Sequence, residues 1–209
     1  MTYEAIQAEG QAALRRAILD EAILLLVEEG LQGLSLRRIA GAVGCSTTVL
    51  YTLFGGKSGI VEALWLEGFA RLWRAEEAAE ASPDPLGRLA ALGWAYRTHA
   101  LENPDYYRVM FGGAVPNFRP SQRALELSRQ TFGVLVNAAR DCVEAGLFRP
   151  EDPELVASVL WTVVHGAVSL QLNGAFQEPE ARRVFERAMR AAAEGFLNRN
   201  RAGEPGGEG

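Results

Sequence analysis

The hydrophobic positions of this chain recur mostly with the period of an α-helix. In the first long segment, apolar side chains follow one another at intervals of three or four residues, at Leu14, Ile18, Ala22 and Leu25. Gly30 then ends the pattern, as glycine often does at the end of a helix. No segment has the alternating pattern of a strand. The sequence therefore predicts an all-α fold with about nine helices.

Two short helical segments, SLRRIAGAV and STTVLYTLF, follow the first helix. Gly44 lies between them and can adopt the positive φ of a tight turn, while the small side chain of Ala40 lets two helices approach closely. Ser35 and Ser46 precede the two segments and are candidate N-caps. This order predicts a helix-turn-helix, whose second helix enters the major groove of DNA. The alternative is an ordinary helical corner with a solvated face.

The second short helix would have two chemically different halves. At roughly 100° per residue, the hydroxyl side chains fall on one half, at Thr47, Thr48, Tyr51 and Thr52. The apolar side chains fall on the other half, at Val49, Leu50, Leu53 and Phe54. We expect the apolar half to pack on the preceding helices and the hydroxyl half to face outward.

Charge is unevenly distributed along the chain. The net charge of −5 and the sequence pI of about 5.2 argue, by themselves, against a nucleic-acid partner. However, no Asp or Glu occurs from Gly30 to Val61, although the chain contains 26 acidic residues. Arg37, Arg38 and Lys57 lie in that window. A surface without carboxylates is what contact with phosphates needs, and chance clustering is the alternative.

The stretch SLRRIAGAVGCSTTVLYTLFGGKSGIVEAL resembles the N-terminal signature of the TetR family of transcriptional repressors. The shared features are a Ser at the start, IA in the second helix, Gly at the turn, LY and F in the third helix, and Lys at the start of the fourth. The resemblance covers about a quarter of the chain, from Arg15 to Leu66. The motif WTVVHG, with Trp161, His165 and Gly166, is loosely similar to a subgroup with a Trp-His-Gly feature.

The resemblance implies a division of labour along the chain. Residues 1–60 would form a helix-turn-helix DNA-binding domain, and residues 61–200 a ligand-binding and dimerisation domain. A long helix from about Lys57 to Ala81 would connect the two domains. We expect residues 201–209, RAGEPGGEG, to form a disordered tail.

The resemblance also implies roles for the polar side chains of the helix-turn-helix domain, residues 1–60, which we call the head. Ser35 and Arg37 would contact phosphates, and Arg37 could reach a base edge. The threonines would lie against the major groove, where their hydroxyls and methyls meet base edges and thymine methyls. Tyr51 and Lys57 would bind the DNA backbone, Lys57 beside a helix N-terminus that favours anions. The expected DNA-binding residues are Ser35, Arg37, Ser46, Thr47, Thr48, Tyr51, Thr52 and Lys57.

Two positions depart from the family pattern. Thr48 stands where many members have Gly, and Leu53 stands where many have a His that can touch phosphate. The third helix also contains no Arg, Asn or Gln, the side chains that make bidentate contacts with bases. We therefore expect DNA shape and methyl contacts to share the specificity.

The last two long helices are the candidates for pairing two subunits, since a twofold dimer matches a palindromic operator. Both carry apolar rows at helical spacing with small residues that allow close approach. The expected dimer residues are Val159, Val163, Gly166, Ala167, Leu170, Phe185, Met189, Ala192 and Phe196. The alternative is that both helices pack only within one subunit.

Large aromatic residues with interspersed polar groups characterise the middle of the chain, a composition typical of a small-molecule site. The expected ligand-binding residues are Trp94, Tyr107, Phe111, Trp161 and His165. For each of them, packing in the core is the alternative role. The resulting hypothesis is a repressor of a palindromic operator, released by a small apolar or aromatic effector, with an activator and a non-DNA-binding adaptor dimer as alternatives.

Other function classes lack support in the sequence. Two His and two Cys residues are present, but none has metal-ligand spacing, and no GxSxG, HExxH or Gly-rich phosphate loop occurs. We therefore expect no enzyme activity, no metal and no cofactor. No run of about 18 apolar residues and no signal-peptide pattern occurs, so we expect a cytoplasmic protein with no membrane partner.

Overall fold

A computed structural model describes residues 2–79, 84–113, 115 and 118–198, and in these residues the chain forms nine α-helices and no strand. The all-α prediction is therefore confirmed. The helices are α1 (Tyr3–Gly33), α2 (Leu36–Val43), α3 (Thr47–Phe54), α4 (Lys57–Ala79), α5 (Pro85–Glu102), α6 (Pro104–Phe111), α7 (Gln122–Glu144), α8 (Pro153–Leu172) and α9 (Glu180–Glu194). An isolated antiparallel bridge joins Phe148 and Leu197.

The chain divides into two compact units. Unit 1 comprises Met1–Ala70 and Asn103–Leu127, and unit 2 comprises Arg71–Glu102 and Ser128–Gly209. These units are defined by packing and not by function. The functional boundary at residue 60 therefore stays a prediction. Residues 201–209, the expected tail, lie outside the described residues.

Unit 1 is built on α1, which contacts α2 and α6, while α2 contacts α3. The buried side chains of α1 begin at Ile18 and include Ala22 and Leu26. They form a core with Leu34 and Ile39, both of which are fully buried. This apolar stripe is the one that the spacing of the first segment predicts.

The ends of α1 differ from the sequence prediction. The helix begins at Tyr3, eleven residues before Leu14, where the apolar periodicity starts, and residues 3–13 are all exposed. This part is helical because Ala, Gln and Glu are good helix formers, a signal that periodicity does not register. At the other end, Gly30 does not end the helix. Its φ of 68° produces a kink, and helical structure then resumes and continues to Gly33.

Unit 2 has its core among α5, α7, α8 and α9. α8 packs on both α5 and α9, and the buried core includes Phe148, Val156 and Phe196. An ion pair between Arg88 and Asp141, 2.6 Å apart, links α5 to α7. These contacts use apolar faces of α5, α7, α8 and α9 that helical periodicity predicts.

Buried polar groups are also present in unit 2. Arg97 is 7% exposed, pairs with Glu178 and donates to Gln171 Oε1 at 3.0 Å. The hydrogen bond from Arg97 lowers the pKa of the Glu178 carboxyl. Burial, with Arg71 and Arg74 nearby, lowers the pKa of His99 to about 4, so this imidazole is neutral at pH 7.

Among the described residues, α8 alone is long and apolar enough to cross a membrane by length and composition, with a mean hydropathy of 1.6. A core helix or an interface helix of a globular protein has the same composition.

Candidate nucleic-acid interface

The helices α2 and α3 form the helix-turn-helix that the sequence predicts. Gly44 ends α2 with φ 74° and ψ 31°, and its N–H donates to the carbonyl of Ala40. The N–H of Cys45 donates to the same carbonyl at 2.9 Å. Gly55, with φ 73°, ends α3 in the same left-handed conformation. Glycine at both positions lets the chain reverse sharply without steric strain.

Two buried side chains anchor α3 on the rest of unit 1. Leu50 is fully buried and Phe54 is 9% exposed. The guanidinium of Arg15 lies over the Phe54 ring, 4.4 Å from its centroid, and donates to the carbonyl of Leu53 at 3.3 Å. α1 therefore fixes the C-terminal end of α3 through a cation–π contact and a hydrogen bond to a carbonyl with no partner in the helix.

The opposite side of α3 is open to solvent. Thr48 and Thr52 are exposed, Tyr51 is 59% exposed, and Thr47 is half-buried. The Thr52 hydroxyl donates to the carbonyl of Thr48 at 3.0 Å, so its proton is engaged within the helix. Thr52 therefore offers its methyl group and oxygen lone pairs to a partner, and Tyr51 offers a phenolic hydroxyl.

The apolar half of α3 is less buried than the sequence predicts. Val49 and Leu53 are only half-buried, whereas Leu50 and Phe54 are in the core. Val49 and Leu53 line a groove of about 320 Å³ between α1 and α3. The α1–α3 groove is lined by Gly10, Gln11, Leu14, Thr48, Val49, Thr52 and Leu53. Sequence reasoning placed no residue of α1 beside the outward threonines of α3 because it did not extend α1 to Gln11.

The two serine caps behave differently. The Ser35 hydroxyl accepts from the N–H of Arg38 at 3.5 Å, at the start of α2. Ser46 occupies the N-cap position of α3, but its side chain makes no cap hydrogen bond. The prediction that Ser46 caps α3 is wrong at the level of the side chain. Its hydroxyl, at an exposed position beside Thr47, is left for other contacts.

The positive charges of the head are not equivalent. Arg38 forms an ion pair with Glu29 at 2.7 Å, and this hydrogen bond raises the pKa of the guanidinium. Glu29 lies just outside the acid-free window in sequence, yet the kink of α1 at Gly30 leaves it beside Arg38 in space. Arg37 and Lys57 are exposed and have no ion-pair partner in the part of the chain that the structure describes. Of the three cations in the acid-free window, Arg37 and Lys57 are therefore the two outside an ion pair among the described residues.

The expected ligand-binding residues fall into both units. In unit 1, the buried Tyr107 and half-buried Phe111 have ring centroids 5.2 Å apart. In unit 2, half-buried Trp161 lies 5.1 Å from half-buried His165 between ring centroids. Trp94, also half-buried, contacts Phe185 at a centroid distance of 5.0 Å.

A polar group that the sequence reasoning missed accompanies His165. The hydroxyl of Tyr96 lies 2.8 Å from His165 Nδ1, and burial lowers the pKa of this imidazole. Tyr96 and His165 lie on α5 and α8, at helical positions 69 residues apart, so no local motif could indicate the pair. Within the described residues, no group of three or more His, Cys, Asp or Glu side chains could hold a metal ion.

The expected dimer residues separate into exposed and buried sets. On α8, Leu155, Val159 and Leu170 are 49%, 38% and 49% exposed, and they share one side of the helix with Val163 and Gly166. We call these five residues the α8 face. A Cβ added at Gly166 would meet nothing within 4 Å, so the helix surface is open there. Ala167 of α8 is half-buried, as are Met189 and Ala192 on α9.

Phe185 and Phe196 do not lie on an exposed surface. They are 1% and 8% exposed and pack inside unit 2, Phe185 on Trp94 and Phe196 on Phe148. Little of either side chain is left to meet a second subunit, and their place at a subunit interface stays a prediction. The rings of Phe185 on α9 and of Phe196, which follows the end of α9, fill the core of their own unit, because burying an aromatic ring is strongly stabilising.

Two family models match the sequence of this chain. One, described as bacterial regulatory proteins of the tetR family, matches residues 18–64. The other, described as the C-terminal domain of tetracyclin repressor-like proteins, matches residues 89–192. The narrower likeness to the Trp-His-Gly subgroup is not confirmed by these matches.

Individual relatives agree with the family models. The HTH-type transcriptional regulator Rv1816 of Mycobacterium tuberculosis is 23% identical over 182 residues, which cover 72% of this chain and 77% of that protein. The crystal structure of the TetR family transcriptional regulator PfmR from Thermus thermophilus is 26% identical, with a TM-score of 0.66 over 87% of this chain and 99% of that one. A Rhodococcus sp. RHA1 protein of unknown function is 28% identical, with a TM-score of 0.77 over 88% and 96%.

Two glycines of the helix-turn-helix give a matched test of the turn. A Cβ at Gly44 or at Gly41 would meet nothing within 4 Å, so neither substitution is opposed by a clash. Gly44→Ala places a side chain at φ 74° and should destabilise the head by about 1–2 kcal/mol. Gly41→Ala, inside α2, should stabilise it by up to about 1 kcal/mol. Amide hydrogen exchange of α3 measures both, and equal effects would contradict the turn geometry.

Proposed function

Because the chain belongs to the TetR family of bacterial regulatory proteins, we propose that it is a repressor that a small-molecule effector releases from a palindromic operator. Members of this family are DNA-binding transcription factors without enzyme activity. The observation that carries the proposal is the exposed hydroxyl face of α3, with Thr48, Tyr51 and Thr52, on a helix fixed by buried Leu50 and Phe54.

The DNA contacts in this proposal come from three helices. The hydroxyl face of α3 lies in the major groove, with Thr47, Thr48 and Thr52 against base edges. Tyr51 donates its hydroxyl to a phosphate. Arg37 reaches the backbone from α2, and Lys57 reaches it from the first turn of α4, where free N–H groups attract an anion. Ser35 and Ser46 add hydroxyl contacts to phosphates.

The operator in this proposal is palindromic because two copies of the chain bind together. The α8 face is the proposed subunit interface, and Ala167, Met189 and Ala192 lie beside it on α8 and α9. Exposed Leu155, Val159 and Leu170 give it an apolar surface, and open Gly166 allows a partner helix to approach closely. Two reading helices one DNA turn apart, about 34–36 Å, would then read the two half-sites.

The effector in this proposal binds among the aromatic side chains of the C-terminal domain. In unit 2, half-buried Trp161 and His165 offer a ring surface and a nitrogen, with Trp94 as a further candidate. Tyr107 and Phe111, in unit 1, are the other candidates. α4 is continuous from Lys57 to Ala79 and contributes residues to both units, so it is the proposed link between effector and DNA. Effector binding needs only to favour the non-binding arrangement by a few kcal/mol.

Two alternatives rest on the same fold. An activator would bind the same DNA but recruit transcription instead of blocking it, and a reporter gene behind the operator distinguishes the two. A dimer whose head binds only protein would show no salt-dependent DNA affinity. We further propose that the protein acts in the cytoplasm, where its DNA is, and that a second subunit rather than a membrane covers α8.

The first prediction of this proposal concerns the charge that binds phosphate. With a duplex selected from random DNA by the unaltered protein, affinity should fall as salt rises, with a slope set by the number of phosphates contacted. Arg37→Gln should lower the slope of log K against log salt by about 0.9 for each subunit bound, since one phosphate contact is lost. Fluorescence anisotropy from low to moderate salt measures the slope.

The matched control removes the Arg38–Glu29 ion pair without changing the net charge. The double variant Glu29→Gln with Arg38→Gln should leave the salt slope unchanged, because this pair presents no net charge to DNA. A loss of slope in the double variant equal to that of Arg37→Gln would overturn the assignment. If the unaltered protein selects no DNA sequence, the DNA-binding proposal itself fails.

The second prediction concerns the α8 face. Val159→Glu should raise the dimer dissociation constant at least about tenfold, because a charge would be buried in an apolar contact. Leu24→Glu, at a side chain of α1 that is 50% exposed, is the matched control and should leave the dimer intact. Sedimentation velocity measures both proteins, and an unaltered dimer in Val159→Glu would exclude this interface.

The third prediction concerns the effector. A library of small aromatic compounds is screened for release of the selected duplex from the unaltered protein. Trp161→Leu should raise the compound concentration for half-release at least about tenfold, because it removes the ring surface. Trp73→Leu, at a Trp of α4 that is 36% exposed, is the control. DNA affinity without compound should stay the same in both variants, and equal release by all three proteins would exclude Trp161.

A further inference from the structure

We infer that Gln11, on the N-terminal part of α1, is a specificity-determining residue that recognises an A·T base pair. Gln11 binds the adenine, and the α1–α3 groove receives the methyl group of the paired thymine. This inference rests on the proposed DNA contact of α3 and assigns to it a residue outside the helix-turn-helix. Gln11 would supply a contact that α3 cannot make, because none of the eight residues of α3 has a side chain able to bind a base edge with two hydrogen bonds.

The position of Gln11 is set by the alignment of α1 with α3. Arg15 meets the last turn of α3, at Leu53 and Phe54. Gln11 lies one helical turn earlier on α1 and lines the α1–α3 groove with Thr48, which is five residues before Leu53 on α3, and with Thr52, which is next to Leu53. The two helices therefore advance together, and this brings an amide side chain beside the outward threonines.

The N-terminal part of α1 has no role in the core of unit 1. Every residue from 2 to 13 is exposed, and the first fully buried side chain of the helix is that of Ile18. Gln11 is exposed, and a Cβ at neighbouring Gly10 would meet nothing within 4 Å. The groove is thus open on the side where Thr48 and Thr52 face solvent, so a base pair that meets these threonines can also meet Gln11.

The chemistry of the groove fits an A·T pair. A glutamine amide donates to N7 and accepts from the N6 amino group of adenine, which is a bidentate contact. The paired thymine carries a methyl group on the same major-groove edge. Half-buried Val49 and Leu53 give the groove an apolar floor that can receive this methyl. Leu53 stands where many family members have a histidine that can touch phosphate. In this proposal Leu53 instead forms part of the apolar floor that contacts the methyl group.

The α1–α3 groove itself carries no negative charge. Arg15 follows Gln11 by one turn on the same side of α1, and no acidic residue lines the groove. Glu9 is two residues from Gln11 and therefore lies on nearly the opposite side of the helix.

The test selects DNA sequences from a random library with the unaltered protein, Gln11→Ala and Gln7→Ala. Gln7 lies one turn before Gln11 on the same side of α1 but outside the groove, and it donates to the Tyr3 hydroxyl at 3.0 Å. Both positions are exposed and alanine favours helix, so both variants should fold. Gln11→Ala should lose an A·T preference at one position of each half-site, with discrimination there reduced about tenfold or more. Gln7→Ala should keep that preference.

A change in the DNA provides the second measurement. Replacing thymine by uracil at the same position removes only the methyl group, and it should weaken binding by the unaltered protein several-fold. The inference is overturned if Gln11→Ala selects the unaltered motif, if it weakens all sequences uniformly as a phosphate contact would, or if Gln7→Ala has the same effect. Failure of the unaltered protein to select any sequence would instead reject the DNA-binding proposal.

Discussion

The burial of Leu50 and Phe54 beneath α3 is the interaction on which the rest of the head depends. A helix of eight residues is far too short to be stable in water by itself, because isolated helices below about 12–15 residues are marginal. Its existence and its direction therefore come from these two anchors. The left-handed glycines at either end, Gly44 and Gly55, fix where it starts and stops. The outward direction of the side chains on its other half is therefore fixed by the helix, without contacts made by those side chains themselves.

Much of this arrangement could be predicted from the sequence, because the relevant signals are local. These signals act within one or two turns of helix. They are the small residues Ala40 and Gly44, and the separation of hydroxyl and apolar side chains onto two halves of the helix STTVLYTLF. The same holds for the number and type of the long helices, whose apolar stripes repeat over many residues. Local signals are reliable where tertiary packing reinforces them, as it does at Leu50 and Ile39.

The features that the sequence did not reveal depend on distance in space. The Arg38–Glu29 pair forms across the kink of α1, and the Tyr96–His165 contact joins two helices. Phe185 and Phe196 follow the same apolar period as true surface residues, and periodicity cannot tell an inner face from an interface. The early start of α1 was missed for another reason: residues 3–13 are helical by propensity and exposed on all sides.

The charge distribution has a consequence for how such a protein would find its site. Binding to arbitrary DNA is almost wholly electrostatic and grows with the number of phosphates neutralised. Here the net charge is −5, and Glu29 cancels one of the three cations of the acid-free window. Few free cations therefore remain, and affinity for arbitrary sequences should be low. A modest set of base and methyl contacts can then still give a high ratio of specific to non-specific binding, and this ratio decides occupancy in a genome. A reading helix made of threonines is thus compatible with a selective regulator, provided that the surrounding surface does not attract DNA indiscriminately.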